Sequence, residues 1–402
     1  MQADGRIGLY TIGGRDGCSP IDFPAAFADD IFYVFFDADE DAVPQMLARN
    51  DPAKSRVFPY CLGDVNGPAT FYHNYDPYTS SLLKPSTEFD FVQRSKGRDY
   101  RLSDAFRPVR EAPVELQTLD SLHLLDDPAV AAPAIITIDT QGTELAILRG
   151  GRDLITEHTM AIVTEAEFVR LYEGQPLFGD LCAALDELGF MFVDFTAGPF
   201  KLQPFFAPLG MRSRPMVGFC DALFLRKPSA VSQPLHLAQL AFVAHLYAQA
   251  AYGFHCLDLL KKADPALDGV PAGRAYRRFL LELDAARQTM PVTFGLNWMD
   301  LYPTYERSNE RFDNATPFDV VNEHLSERYA AMRTDLVRRQ DEFAPLLSFD
   351  DSPIETVMRA FGLDKHAQAC KDWRIHEVTE MFEEVGLKIV RETVPVEQRD
   401  RN

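Results

Sequence analysis

Two acids stand where short apolar runs end. Asp139 closes Pro133–Asp139 (PAIITID), and Glu165 closes Ala161–Glu165 (AIVTE). Ile135 to Ile138 is too apolar and too short for a surface helix, so it reads as a strand buried on both faces, as parallel strands are. An acid at the carboxyl end of such a strand points into the crevice where open α/β sheets bind ligands. Asp139 and Glu165 are therefore the first candidates for a general base, a carboxylate that takes the proton of a reacting hydroxyl. Two neighbouring carboxylates also have the chemistry to hold a divalent cation that acidifies a hydroxyl, although no metal site is predicted. His73 is a further candidate base, against which a plain structural role weighs.

A second set of residues has the spacing of a nucleotide site. Gly13, Gly14 and Gly17 follow the strand pattern Ile7–Ile12, where glycines let the backbone turn tightly and approach a ligand. Asp37 ends the next apolar run, Phe32–Phe36, roughly twenty residues on, the place of an acid that hydrogen-bonds ribose hydroxyls. Asp39 suits a helix start instead. This pattern serves NAD or S-adenosylmethionine alike. The loop has no basic phosphate partner except Arg15, and no second βαβαβ half follows. The balance favours S-adenosylmethionine.

Alternating elements must position these groups. Beyond the runs above, Arg56–Cys61 and Ala69–His73 read as strands, and Asp41–Arg49, Glu144–Gly150 and Leu177–Leu188 as helices. Asn74–Arg110 has no clean period and reads as a long loop, with Ser80 and Ser81 placed to fold over a donor. Phe190–Phe195 and Cys220–Leu225 read as a closing strand pair. The expected architecture is α/β, a mostly parallel sheet with an antiparallel last strand. At Lys227-Pro228 the character changes to helix, through Leu235–Ala263, Arg274–Gln288, Phe318–Val337, Ile354–Phe361 and His376–Val385. Two domains are expected, 1–228 and a mainly helical 229–402 suited to packing or self-association.

Composition narrows the partners. A formal net charge of −20 over 402 residues disfavours nucleic acid and anionic membrane, both of which would repel the chain. The six cysteines are scattered without a CxxC pair, the pattern of reduced thiols. Neither a secretory signal nor a span of about twenty apolar residues is visible, so the expected location is the cytoplasm.

Several motifs occur in an order that resembles one family. They are Phe36–Asn50, the LGDVNGPATFY stretch from Leu62, Leu116–Leu122 (LQTLDSL), Ile138–Leu148 (IDTQGTELAIL) and Asp221–Arg226 (DALFLR). Together they resemble the FkbM-like methyltransferases from near Ile7 to Arg226. The resemblance implies a class I methyltransferase fold using S-adenosylmethionine, usually to methylate a hydroxyl on a sugar, lipid or other natural product. It implies Gly13 and Gly17 in the donor loop, Asp37 as the ribose acid, Asp64 beside the adenine and Asp139 at the crevice floor. The family's first loop typically reads DxGANxG, whereas Thr11, Gly14 and Arg15 stand at matching places here.

The expected function is an S-adenosylmethionine-dependent O-methyltransferase acting on a small-molecule or glycan acceptor. The alternative is a non-catalytic binding or assembly protein on the same fold, motivated by Thr11 and Arg15. A nicotinamide-dependent oxidoreductase is a third reading, disfavoured by the closing strand pair.

Overall fold

The computed structural model of the chain describes residues 4–13, 21, 23–38, 43–88, 90, 92–94, 102–204, 214–291, 330–331, 333–348 and 350–384. Its centre is β1 (Ile7–Ile12), in which all six residues are buried. A run this apolar has no solvent face, so it must lie between neighbours in a sheet covered on both sides. β2 (Ile31–Phe36) and β3 (Ser55–Phe58) extend the sheet on one side of β1, both parallel. β8 (Pro133–Ile138) and β9 (Ala161–Glu167) extend it on the other, also parallel. β11 (Met216–Arg226), last in the chain, inserts antiparallel between β9 and β10 (Phe190–Pro204). β6 (Val92–Arg94) completes the order β3-β2-β1-β8-β9-β11-β10-β6. The mostly parallel sheet with an antiparallel last strand is thus present.

The chain leaves β1 toward β2 and β3, then returns to place β8 on the far side of β1. That reversal is a topological switch point, and it opens a crevice beyond the carboxyl ends of β1 and β8. A small second sheet sits in the connection, with β4 (Cys61–Leu62) and β5 (Gly67–Asn74) flanking β7 (Pro108–Gln117).

Helices α1 (Val43–Arg49) and α2 (Leu102–Ala105) are short. One main core joins Tyr10, Phe36, Ile136 and Ile138 of the sheet to Leu145, Leu148, Ile155, Leu181 and Leu185. Those five residues come from α3 (Glu144–Gly150), α4 (Arg152–His158) and α5 (Phe178–Glu187). α6 (Pro234–Leu246), buried from Leu237 through Leu246, packs its Phe242 on Phe27 at 4.8 Å between ring centroids. α7 (Ala250–Ala263) follows, and Tyr276 of α8 (Ala275–Gln288) closes on Phe242 and donates its hydroxyl to the Gly5 carbonyl.

Among the described residues after 228, helical structure dominates. The chain's two compact units are Met1–Leu280 and Leu281–Asn402, so the first extends past the shift in character at Lys227 to include α6 and α7. The second holds α9 (Gln340–Phe343), α10 (Pro353–Ala360) and α11 (Asp364–Glu384), with a core of Leu336, Phe343, Leu346, Val378 and Phe382. Most of the expected helix Phe318–Val337 lies outside the described residues. The single helical run expected over Leu235–Ala263 is broken at Ala248, whose φ is +58°. No glycine or proline marks that break, and the apolar periods on its two sides run on in phase. Within the expected loop 74–110, the start of β7, α2 and β6 are ordered elements.

Candidate active site

A cleft occupies the switch point. Among its walls are Gly13 after β1, Asp37 after β2, Tyr60 before β4, and Asp139 and Gln141 after β8. Gly13 is required by close approach. Its φ is +85°, and a Cβ there would lie 1.9 Å from the Asp139 carbonyl oxygen. The ends of β1 and β8 therefore meet at a point that only glycine fits. Asp37 is nearly buried, its N–H bonded to the Phe58 carbonyl at 3.2 Å. Its charge, added to burial, helps push the neighbouring Cys61 thiol up to about 12. Leu62 and Ile147 give this end of the cleft an apolar wall.

The floor is a group of acids knitted together by one amide. The Gln141 side-chain nitrogen donates to Asp139 Oδ1 at 2.7 Å and to Glu165 Oε2 at 2.8 Å. Its carbonyl accepts from the buried Tyr172 hydroxyl at 3.1 Å. Asp139 is open to the cleft although protein surrounds it on its other sides, whereas Glu165 is 9 % exposed. Desolvation raises the Asp139 carboxyl, opposed by hydrogen bonds from Gln141 and with Glu165. Glu165 lies well above the ordinary carboxylate range because it is buried and then because Asp139, Glu167, Glu144 and Asp221 add like charge. Burial lifts Asp221 to about 6, with the charge of Asp139 adding to it.

Glu144 is shaped by the turn before α3. Its Oε1 accepts the N–H groups of Thr140 (2.9 Å) and Gly142 (3.0 Å), so it closes its own turn from a buried position. Burial nevertheless lifts it to about 7. Among the described residues no group of three or more His, Cys, Asp or Glu is arranged to hold a metal ion.

The structure gathers some of the expected residues and scatters others. Gly13, Asp37 and Asp139 line the cleft, and Glu165 lies beneath it through Gln141. Gly14 and Gly17 lie outside the described residues. Asp64 is exposed in the turn between β4 and β5 and does not line the cleft. Ser81 is buried, donating to the Gln141 carbonyl at 2.7 Å, so it ties the loop down while Ser80 reaches the cleft wall. His73 sits on β5 with its ring nitrogen 2.8 Å from Arg110, away from the acids. Thr11 is buried, and its hydroxyl has no hydrogen-bond partner among the described residues. Sequence reasoning passed over Gln141, Tyr60 and Glu167. Gln141 lay within the most specific motif, but an amide carries no titration signal to mark it.

Residues 12–192 match the family model described as the methyltransferase FkbM domain. Among solved structures, methyltransferase FkbM from Methylobacillus flagellatus aligns at 12 % identity over 55 % of this chain and 44 % of that one, with a TM-score of 0.28. A Pyrococcus horikoshii protein proposed to be an RNA methyltransferase aligns at 8 % identity over 55 % of this chain and 74 % of its own, with a TM-score of 0.24. The chain thus spans less than half the length of the first of these. No curated protein matches the sequence significantly, and no helix among the described residues is long and apolar enough to cross a membrane. Over residues 12–192 the chain resembles the FkbM methyltransferases, as the order of its motifs led us to expect.

Proposed function

We propose that the protein is an S-adenosylmethionine-dependent methyltransferase that methylates a hydroxyl oxygen on a sugar, glycolipid or natural-product acceptor. The observation that carries this reading is the meeting of Gly13, Asp37 and Asp139 around one cleft at the switch point. The residues suit the donor. Gly13 removes the side chain where the strands meet, Asp37 offers a carboxylate to ribose hydroxyls, and Leu62 and Ile147 offer an apolar wall to a base. When bound, the donor supplies an electrophilic methyl group.

The chain's own part is to orient the acceptor hydroxyl and remove its proton. Asp139 opens to the cleft and is the general base in this reading. Glu165 lies behind it, where burial favours the protonated form. Positioning the hydroxyl in line with the methyl group supplies much of the remaining catalysis.

Isotope-labelled methyl donor, offered with a panel of hydroxyl-bearing sugars, glycolipids and polyketide-like alcohols, tests the proposal. Label recovered in an O-methyl ether, and absent with Asp139→Asn, supports it. Label recovered only on nitrogen or carbon contradicts the oxygen assignment.

A further inference from the structure

Gln141 sits in a backbone conformation that its residue type disfavours. Its φ is +58°, the left-handed region, which costs a non-glycine residue roughly 1–2 kcal/mol. Such a conformation persists where its surroundings over-determine it. The surroundings here engage the peptide carbonyl and both ends of the side chain. Ser81 Oγ donates to the Gln141 carbonyl, the Tyr172 hydroxyl donates to the side-chain oxygen, and the side-chain nitrogen spends its two hydrogens on Asp139 and Glu165. The amide cannot be turned round, because its oxygen would then face two carboxylates.

One side-chain nitrogen therefore bridges the two carboxyls, 2.7 Å from Asp139 Oδ1 and 2.8 Å from Glu165 Oε2. Two ionised carboxylates held on one amide repel each other, so a single proton on the pair costs less than a second buried charge. The environment decides where that proton rests. Glu165 is closed off beneath the floor, and Asp139 opens to the cleft. The charged and titratable groups facing the pair are Glu144 from α3, Glu167 from β9, Asp221 from β11 and the Tyr172 hydroxyl. The carboxyls among them raise the cost of a second negative charge at Glu165.

We propose that Gln141 is a positioning residue that holds Asp139 and Glu165 as a one-proton acid pair, with the proton on Glu165 and Asp139 kept as the base. Its two N–H groups fix the distance and orientation of both carboxyls while contributing no charge of their own. A glutamate in the same place would lack those donors and add a further negative charge to the floor. The inference depends on the methyltransferase reading only for its catalytic consequence, since the protonation of the pair is a property of the folded protein.

The test is a pH titration of carboxyl-carbon-labelled Asp and Glu by NMR, read on the whole protein, with Asp139→Asn and Glu165→Gln to assign the two signals. The expected result is an ionised Asp139 and a protonated Glu165 at neutral pH. Gln141→Met fills similar space without the donors, and the Asp139 step then moves up by about one pH unit, the loss of one charge-assisted hydrogen bond. Gln141→Asn, which keeps the amide but shortens its reach, serves if the methionine variant does not fold, with the same direction expected. An ionised Glu165 in the parent protein, or an unmoved Asp139 step in a folded Gln141 variant, overturns the proposal. Absence of methyl transfer under any condition would count against the function and leave this titration standing.

Discussion

Two groups of buried carboxylates in this molecule, one at the cleft floor and one in the second compact unit, are treated in opposite ways. In the second compact unit Glu355 is almost completely buried and fully matched. Arg374 donates to its Oε1 at 2.7 Å and to its Oε2 at 3.0 Å, and Ser352 donates a backbone N–H in the capping box that opens α10. At the cleft floor Glu165, with Glu167 beside it, is also buried, but the neighbours of these two are other acids and an uncharged amide. The first arrangement is what stability alone would select, since a buried charge needs a partner. The second raises the cost of ionisation, as acid–base sites do. The contrast teaches that burial alone does not mark a candidate catalytic acid, whereas burial among like charges at a cleft does.

The largest expected effect lies on the cleft side of that comparison. Asp139→Asn keeps shape and removes the base, so methyl transfer should fall by about 10²–10⁴-fold. Initial rates at saturating donor would show it, and a variant retaining parental turnover would move the base elsewhere.

On the other side, Arg374→Met should destabilise the second unit by about 3–5 kcal/mol, because Glu355 is left buried without its cation. Denaturant unfolding followed at Trp373 of α11 reports on that unit. A loss under 1 kcal/mol would mean that the pair is not the support described here.

A smaller effect is expected at the hinge of the floor. Tyr172→Phe removes the hydroxyl that lies 2.6 Å from the Thr79 carbonyl and 3.1 Å from the Gln141 side-chain oxygen, and should cost about 1–2 kcal/mol of stability. An unchanged midpoint in equilibrium unfolding would show that the loop holds the floor without it.

The subtlest sharpening comes from pH. Asp221 is raised to about 6 and Glu144 to about 7, so both bind a proton more tightly in the folded state than in the unfolded one. Their stabilising contributions are complete below about pH 4, the ordinary range of free carboxyls, and vanish as pH rises through 6 and 7. Asp221→Asn should flatten the lower part of that decline in a series of melting temperatures. The same slope in parent and variant would argue that Asp221 ionises normally.

Much of this was legible in the chain before its structure. Apolar runs located β1, β2, β8 and β9, the last three ending in acids, because strands buried on both faces cannot disguise their composition. Gly13 and Asp37, singled out for close approach and for the end of an apolar run, both line the cleft. The rest depends on contacts between distant segments. Ser81 and Ser80 are neighbours in the chain, yet only pairing of Ser81 with Tyr72 determines which of them is turned inward. His73, a weaker candidate base by type alone, stands beside Arg110 once its strand is paired. Gln141 was invisible because its importance lies in what it touches across sixty residues to Ser81 and thirty-one to Tyr172.

The central claim is that the cleft between Gly13, Asp37 and Asp139 binds the methyl donor. Calorimetric titration of the purified protein with S-adenosylmethionine and S-adenosylhomocysteine, beside Asp37→Ala and with NADH as control, tests it most directly. The account predicts micromolar binding of both adenosyl compounds, lost in the variant and absent with NADH. Folded protein that binds neither, or that binds NADH in their place, would contradict it.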